Sequence, residues 1–173
     1  MHEGFFEYIK ANVVCMGDKE LFHSRSKELG YSLEINSFSN INDINEKVGF
    51  LEIIKCHDIS SGILNSTNSE YVIENLDFAI DTCVKKMGFG LVTGPISKEN
   101  IIEGGYSFSG HTERIMQKTN SDNVLMLLAS ERLKVALATT HMPISKVPES
   151  ITKELIFNKV KILNQELKEK FNI

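Results

Sequence analysis

From residue 67 onward the apolar positions keep a helical beat. Val72, Ile73, Leu76, Ala79, Ile80, Cys83, Val84 and Met87 fall on one stripe, Gly88 is placed to end it, and Thr67 with Glu70 has capping-box spacing. Upstream the pattern changes period several times. Residues 1–10, with Phe5, Phe6 and Ile9 on one side, read as the end of a helix, and residues 12–16 as a short apolar strand. Over 18–29 the spacing of Leu21, Phe22, Arg25 and Leu29 predicts a helix with Asp18 as N-cap and Gly30 at its end. Residues 31–35 alternate as a strand would, so strand, helix and strand follow one another as in a parallel sheet. The Asn-, Ser- and Asp-rich residues 36–49 predict a loop, 50–54 a further strand, and 56–65 nothing regular.

After the long helix the run 89–93 predicts a strand that breaks at Thr93-Gly94-Pro95. A short helical turn over 97–103 follows, then Gly104-Gly105, then Ser109-Gly110 leading into a helix whose first turn holds His111, Thr112 and Glu113. Two apolar runs, 123–129 and 134–140, are joined by Ser130-Glu131-Arg132 and the adjoining Leu133, a link too short for a parallel crossover, so they predict an antiparallel hairpin. His141 comes next, where Met142-Pro143 stops the strand. From Pro148, a favourable first helical residue, Ile151, Leu155, Ile156, Val160, Leu163, Leu167 and Phe171 predict one long amphipathic helix. The whole reads as an α/β chain over 1–173 with no repeat, linker or internal boundary. Its ends look cut, opening on the tail of a helix and stopping where a next strand is due.

Composition narrows the partners. With 42% hydrophobic and 24% charged residues the chain has the make-up of a globular protein. A net charge of −4 without any Lys/Arg run argues against nucleic acid. Cys15, Cys56 and Cys83 are odd in number and far apart, which suits neither a disulfide framework nor a cysteine zinc site and fits a reducing cytoplasm. No apolar stretch reaches membrane-spanning length, and the opening residues lack the pattern of a signal peptide.

The chemistry concentrates between residues 91 and 113. Two helix starts lie close in sequence, and each offers unpaired backbone N–H groups and the positive end of a helix dipole, a combination that suits phosphate. His111, Thr112 and Lys98 are candidate ligands for such an anion. The plain alternative is an ordinary helix start, with Ser109 as cap, Glu113 favourable to the dipole and Lys98 solvated. The spacing around Lys98 is not that of a P-loop. His141 stands at a strand end, where open α/β sheets place ligand-binding groups, but one histidine is short of the three or so protein ligands of a catalytic metal.

Three ordered stretches carry a family resemblance: Leu-Val-Thr-Gly-Pro-Ile-Ser-Lys at 91–98, Phe-Ser-Gly-His-Thr-Glu at 108–113 and Ala-Leu-Ala-Thr-Thr-His-Met-Pro at 136–143. Together they resemble the 4-hydroxythreonine-4-phosphate dehydrogenases of vitamin B6 biosynthesis, most specifically from about residue 66 onward. The resemblance implies a three-layer αβα fold like that of isocitrate and isopropylmalate dehydrogenases, a homodimer, NAD and a divalent metal (zinc, magnesium or cobalt). It also implies oxidation and decarboxylation of 4-phosphohydroxy-L-threonine to 3-amino-2-oxopropyl phosphate. By resemblance His111 and Thr112 bind substrate, Lys98 neighbours its phosphate, and His141 is the first of three metal histidines. The other two belong to Asn-Pro-His-Ala-Gly-Glu and Tyr-His-Asp-Gln segments, and neither occurs here, nor does the family's opening glycine-rich segment. The chain is therefore expected to be the middle of such an enzyme, inactive alone. Two other readings compete: a non-catalytic anion-binding or dimerisation domain, and a metal-dependent hydrolase using His111, Glu113 and His141.

Overall fold

The computed structural model describes residues 11–32, 35–44, 46–85, 89–121 and 123–173. The helix expected over 1–10 lies outside them, as does the helix end expected at Gly88. The chain forms two compact units, Met1–Asn120 and Ser121–Ile173.

In the first unit β1 (Val13–Met16) leads into α1 (Lys19–Glu28), then β2 (Ser37–Phe38) and β3 (Val48–Leu51). The sheet is parallel with order β1-β3-β2, Val13 facing Val48 and Ser37 facing Phe50. This is the expected α/β arrangement, with two shifts. Residues 33 and 34 of the strand expected over 31–35 lie outside the described residues, and a strand is found at Ser37–Phe38, inside the stretch read as loop, while the one expected over 50–54 spans Val48–Leu51. Gly49 and the polar residues before it hid the start of the latter. Phe50 and Leu51 are nevertheless its buried centre, and Phe22 of α1 packs on Phe50 with ring centroids 5.5 Å apart.

Asp18 caps α1 by accepting from the Leu21 N–H at 2.9 Å. Its other carboxylate oxygen accepts from the Cys56 N–H at 3.1 Å and from the Cys56 thiol at 3.2 Å, while its own N–H donates to the Tyr71 hydroxyl at 2.9 Å. One buried carboxylate thus ties the end of β1 to the loop after β3, and its backbone ties both to the next helix. Burial by itself would raise the Asp18 carboxyl, but these hydrogen bonds hold it below its ordinary value. Burial, with the adjacent Asp18, pushes the Cys56 thiol up to about 11.

That next helix, α2 (Ser69–Lys85), starts later than the capping box suggested. The Asn65 side chain accepts from the Thr67 N–H and hydroxyl, which folds Ser66–Asn68 into a 3₁₀ turn and takes Thr67 out of the capping role. The apolar stripe holds at Ile73, Leu76 and Ile80, which form the core with Ile101 and Phe108 while Leu91, Ile96, Tyr106 and Ile115 pack against it; Val84 of the expected stripe is instead exposed, and Met87 lies outside the described residues. Residues 89–93 are not a strand. No ladder of the described sheets includes them, and a strand is defined by its ladder. Leu91 turns to the core, whereas Val92 is 96% exposed.

The second unit holds the expected antiparallel hairpin, β4 (Leu127–Ala129) and β5 (Lys134–Ala136), with Leu128 facing Val135, although both strands are shorter than their apolar runs. The long C-terminal helix is broken. Val147–Ser150, with a proline in its first turn, is followed by extended Ile151 and Thr152, and the helix resumes over Lys153–Glu166 before ending in a π turn at Leu167–Phe171. Thr152 takes β-region angles and its hydroxyl accepts from the Leu155 N–H at 3.1 Å, so a local cap wins over continuous helix. Among the described residues no helix is long and apolar enough to cross a membrane.

Candidate functional site

Ser97 caps α3 (Lys98–Glu103), accepting from the Asn100 N–H at 3.3 Å. The helix is set by Ile101, which is 1% exposed, and by the buried Ser69 hydroxyl donating to the Asn100 carbonyl at 3.0 Å. It stops at Gly104, where a β-carbon would stand 2.4 Å from the Ser69 Cβ and 2.6 Å from the Ser66 carbonyl oxygen. Only a residue without a side chain lets the two segments approach so closely. The chain then passes the buried Phe108 and enters α4 (His111–Thr119) through Gly110.

Gly110 has φ 157° and ψ 172°, a region open essentially to glycine, and the start of α4 carries no side-chain cap. Ser109, the expected cap, therefore does not cap. The N–H groups of the first turn, at His111, Thr112 and Glu113, find no acceptor among the described residues. Two charged side chains reach this point. A β-carbon on Gly110 would lie 3.4 Å from the Lys98 ammonium and 2.7 Å from a Glu113 carboxylate oxygen. Lys98 has no ion pair among the described residues. The His111 ring meets Phe108 edge-on, centroids 5.9 Å apart, and its Nε2 is buried without a hydrogen-bond partner. A shallow depression of about 440 Å³ beside it, lined by Ile102, Gly105 and residues 106–109, shares only the connecting loop with these groups.

Lys98 thus approaches the uncapped helix start that His111 and Thr112 open, while the His111 ring lies against Phe108. Glu113 stands at the same place with the opposite charge. Sequence reasoning missed what holds α4 in place. Arg114 grips Asp77 of α2 through both its Nε, at 2.7 Å, and an Nη, and Lys118 reaches Asp81 at 3.0 Å. The only available signal was that 77 and 81, like 114 and 118, are four apart on their helices with opposite charge.

His141 belongs to the second unit. The strand expected to carry it ends at Ala136, so His141 lies in the loop beyond, exposed, with φ 57°. Among the described residues no group of three or more His, Cys, Asp or Glu side chains could hold a metal ion. His141 is a lone imidazole here, and the resemblance places its two partner histidines in segments that this sequence does not contain. Cys15, Cys56 and Cys83 are free.

Residues 9–173 match the family described as the pyridoxal phosphate biosynthetic protein PdxA. The 4-hydroxythreonine-4-phosphate dehydrogenase of Serratia proteamaculans is 36% identical over 165 residues, covering 93% of this chain and 50% of its own length. The enzyme of that name from Sulfurihydrogenibium is 34% identical over 160 residues, covering 92% and 50%. Solved structures share the fold. One from Salmonella typhimurium has a TM-score of 0.77 at 18% identity over 90% of this chain and 50% of its own. The 4-hydroxythreonine-4-phosphate dehydrogenase of Burkholderia phymatum gives 0.72 at 22% identity over 88% and 47%. The chain spans about half the length of the relatives it matches, and over that span it belongs to the PdxA family of pyridoxal phosphate biosynthetic proteins.

Proposed function

We propose that this chain supplies the substrate-phosphate site of a 4-hydroxythreonine-4-phosphate dehydrogenase. In this reading the phosphate of 4-phosphohydroxy-L-threonine sits on the first-turn N–H groups of α4, with the Thr112 hydroxyl and His111 imidazole beside it and Lys98 as counter-charge. The observation that carries the reading is the convergence of Lys98 on an uncapped helix start at Gly110. Glu113 then faces the ligand's ammonium, or swings outward when phosphate arrives.

The reaction is oxidation of the substrate's secondary alcohol. Its hydride passes to NAD, its hydroxyl proton is lost, and the resulting β-keto acid releases carbon dioxide to leave 3-amino-2-oxopropyl phosphate. The assembly that performs it is a cytoplasmic homodimer. His141 offers a single imidazole where a catalytic metal takes about three protein ligands, so this chain's residues do not by themselves fit the metal, and no step is drawn through it. Accordingly the purified chain, given this substrate, NAD and zinc, magnesium or cobalt, forms no NADH. Steady NADH production would overturn the assignment of the chain to phosphate binding alone.

A second reading is a stand-alone anion-binding or dimerisation domain. It is favoured by the same contrast, an uncapped helix start with Lys98 beside it in a chain with an incomplete metal set. Metal-independent phosphate-ester binding by a stable dimer would support it.

A further inference from the structure

The helix that carries the phosphate-binding turn is poorly anchored by apolar contact. None of the residues of α4 is fully buried; Ile115 packs against the core and the His111 ring meets Phe108 of that core edge-on. So light an apolar footing leaves much of the helix's roll to be fixed by other contacts. Side-chain tips stand about 6 Å from a helix axis, so a roll of about 10° moves them about 1 Å, a displacement that can cost a positioned group up to about 10²-fold.

What opposes the roll is ionic. His111, Arg114, Ile115 and Lys118 are spaced to share one face of α4, and Asp77 and Asp81 stack on the facing side of α2. Arg114 meets Asp77 with two parallel hydrogen bonds, and Lys118 lies 3.0 Å from Asp81 and 3.7 Å from Asp77. The Arg114 and Asp77 side chains are 24% and 17% exposed, and Glu74 adds a further carboxylate on the same side. An isolated surface pair would contribute little, but a two-pronged, partly buried and networked one fixes both roll and slide. The pairing also commits Arg114 to Asp77, which keeps this cation, three residues from His111, out of the anion's first contacts.

Resting on the phosphate-site reading above, we infer that Asp77, acting through Arg114, is a positioning residue that aims His111 and Thr112 at the bound phosphate. The sign of the effect separates this from simple electrostatics. Removing a carboxylate near an anion site should tighten binding if charge alone matters, and loosen it if Asp77 holds the site in shape.

The test uses O-phospho-L-threonine, titrated into the ¹⁵N-labelled full chain and its Asp77→Asn variant, with amide exchange measured before ligand is added. Asp77→Asn is expected to weaken binding roughly tenfold, on the scale of losing an orienting partner, and to speed exchange in α4 but not in β1 or β3. In a His111→Ala background the same change should have much less effect. Arg114→Lys, which keeps the charge and loses the fork, should repeat the loss and serves if Asp77→Asn does not fold. Unchanged α4 exchange, tighter binding, or an equal loss with and without His111 would overturn the inference. Absence of binding by the wild-type chain, with α4 exchange still dependent on Asp77, would instead overturn the phosphate-site reading and remove the positioning role with it.

Discussion

Gly110 shows how a single residue type opens a site. Its backbone angles exclude other side chains, and the position a β-carbon would fill is the one Lys98 and Glu113 approach. Gly110→Ala should therefore cost about 1–3 kcal/mol of stability through backbone strain and should abolish phosphate-ester binding, measured by urea unfolding and by calorimetry. Asp18 and Cys56 make a second residue-scale point. Buried beside a carboxylate, the Cys56 thiol titrates near 11 and stays protonated at neutral pH, so iodoacetamide followed by mass spectrometry should find it slower to alkylate than an unfolded cysteine. The Asp18 carboxyl is held below its ordinary value, so the stability it contributes is present above about pH 4 and is lost as the pH falls through its lower folded value. The thiol works in the opposite sense, its contribution being present below about pH 9 and lost as the pH rises through about 11. Unfolding free energy followed against pH should decline at both ends, and Asp18→Asn should flatten the acid limb.

Elements were legible in the sequence where one periodic signal had no rival. The stripe of α2 and the Asp18 cap of α1 are read directly from spacing, because one buried face and one short polar side chain decide them. The signal failed where a local bond competed with it. Thr152 lies within an unbroken amphipathic pattern, yet its hydroxyl closes on Leu155 and breaks the helix there. Thr152→Ala should lower the stability of the second unit by about 1 kcal/mol, read from its thermal unfolding. The run 89–93 failed for a different reason. A strand is a property of a pair, and no described strand lies alongside it. At the candidate site the helix start at His111 was legible from spacing, but the approach of Lys98 to it depends on the Gly110 bend, which spacing cannot show. The Asp77–Arg114 pairing was not legible because it joins helices 37 residues apart.

At the scale of the whole molecule, the first unit presents an uncapped helix start with Lys98 beside it, while the second contributes a hairpin, a split helix and one exposed histidine. Family membership is carried over nearly the full chain, and the chain corresponds to about half of its relatives. The central claim is then a binding claim about the first unit: phosphate is held at the start of α4. Its most direct test is to titrate O-phospho-L-threonine into the ¹⁵N-labelled chain and follow the backbone signals of Gly110, His111, Thr112 and Glu113, with His111→Ala as control. The account predicts saturable shifts centred on these four amides and strongly weakened in the control. Shifts absent from this turn, or scattered over surface lysines and unaffected by His111→Ala, would contradict it.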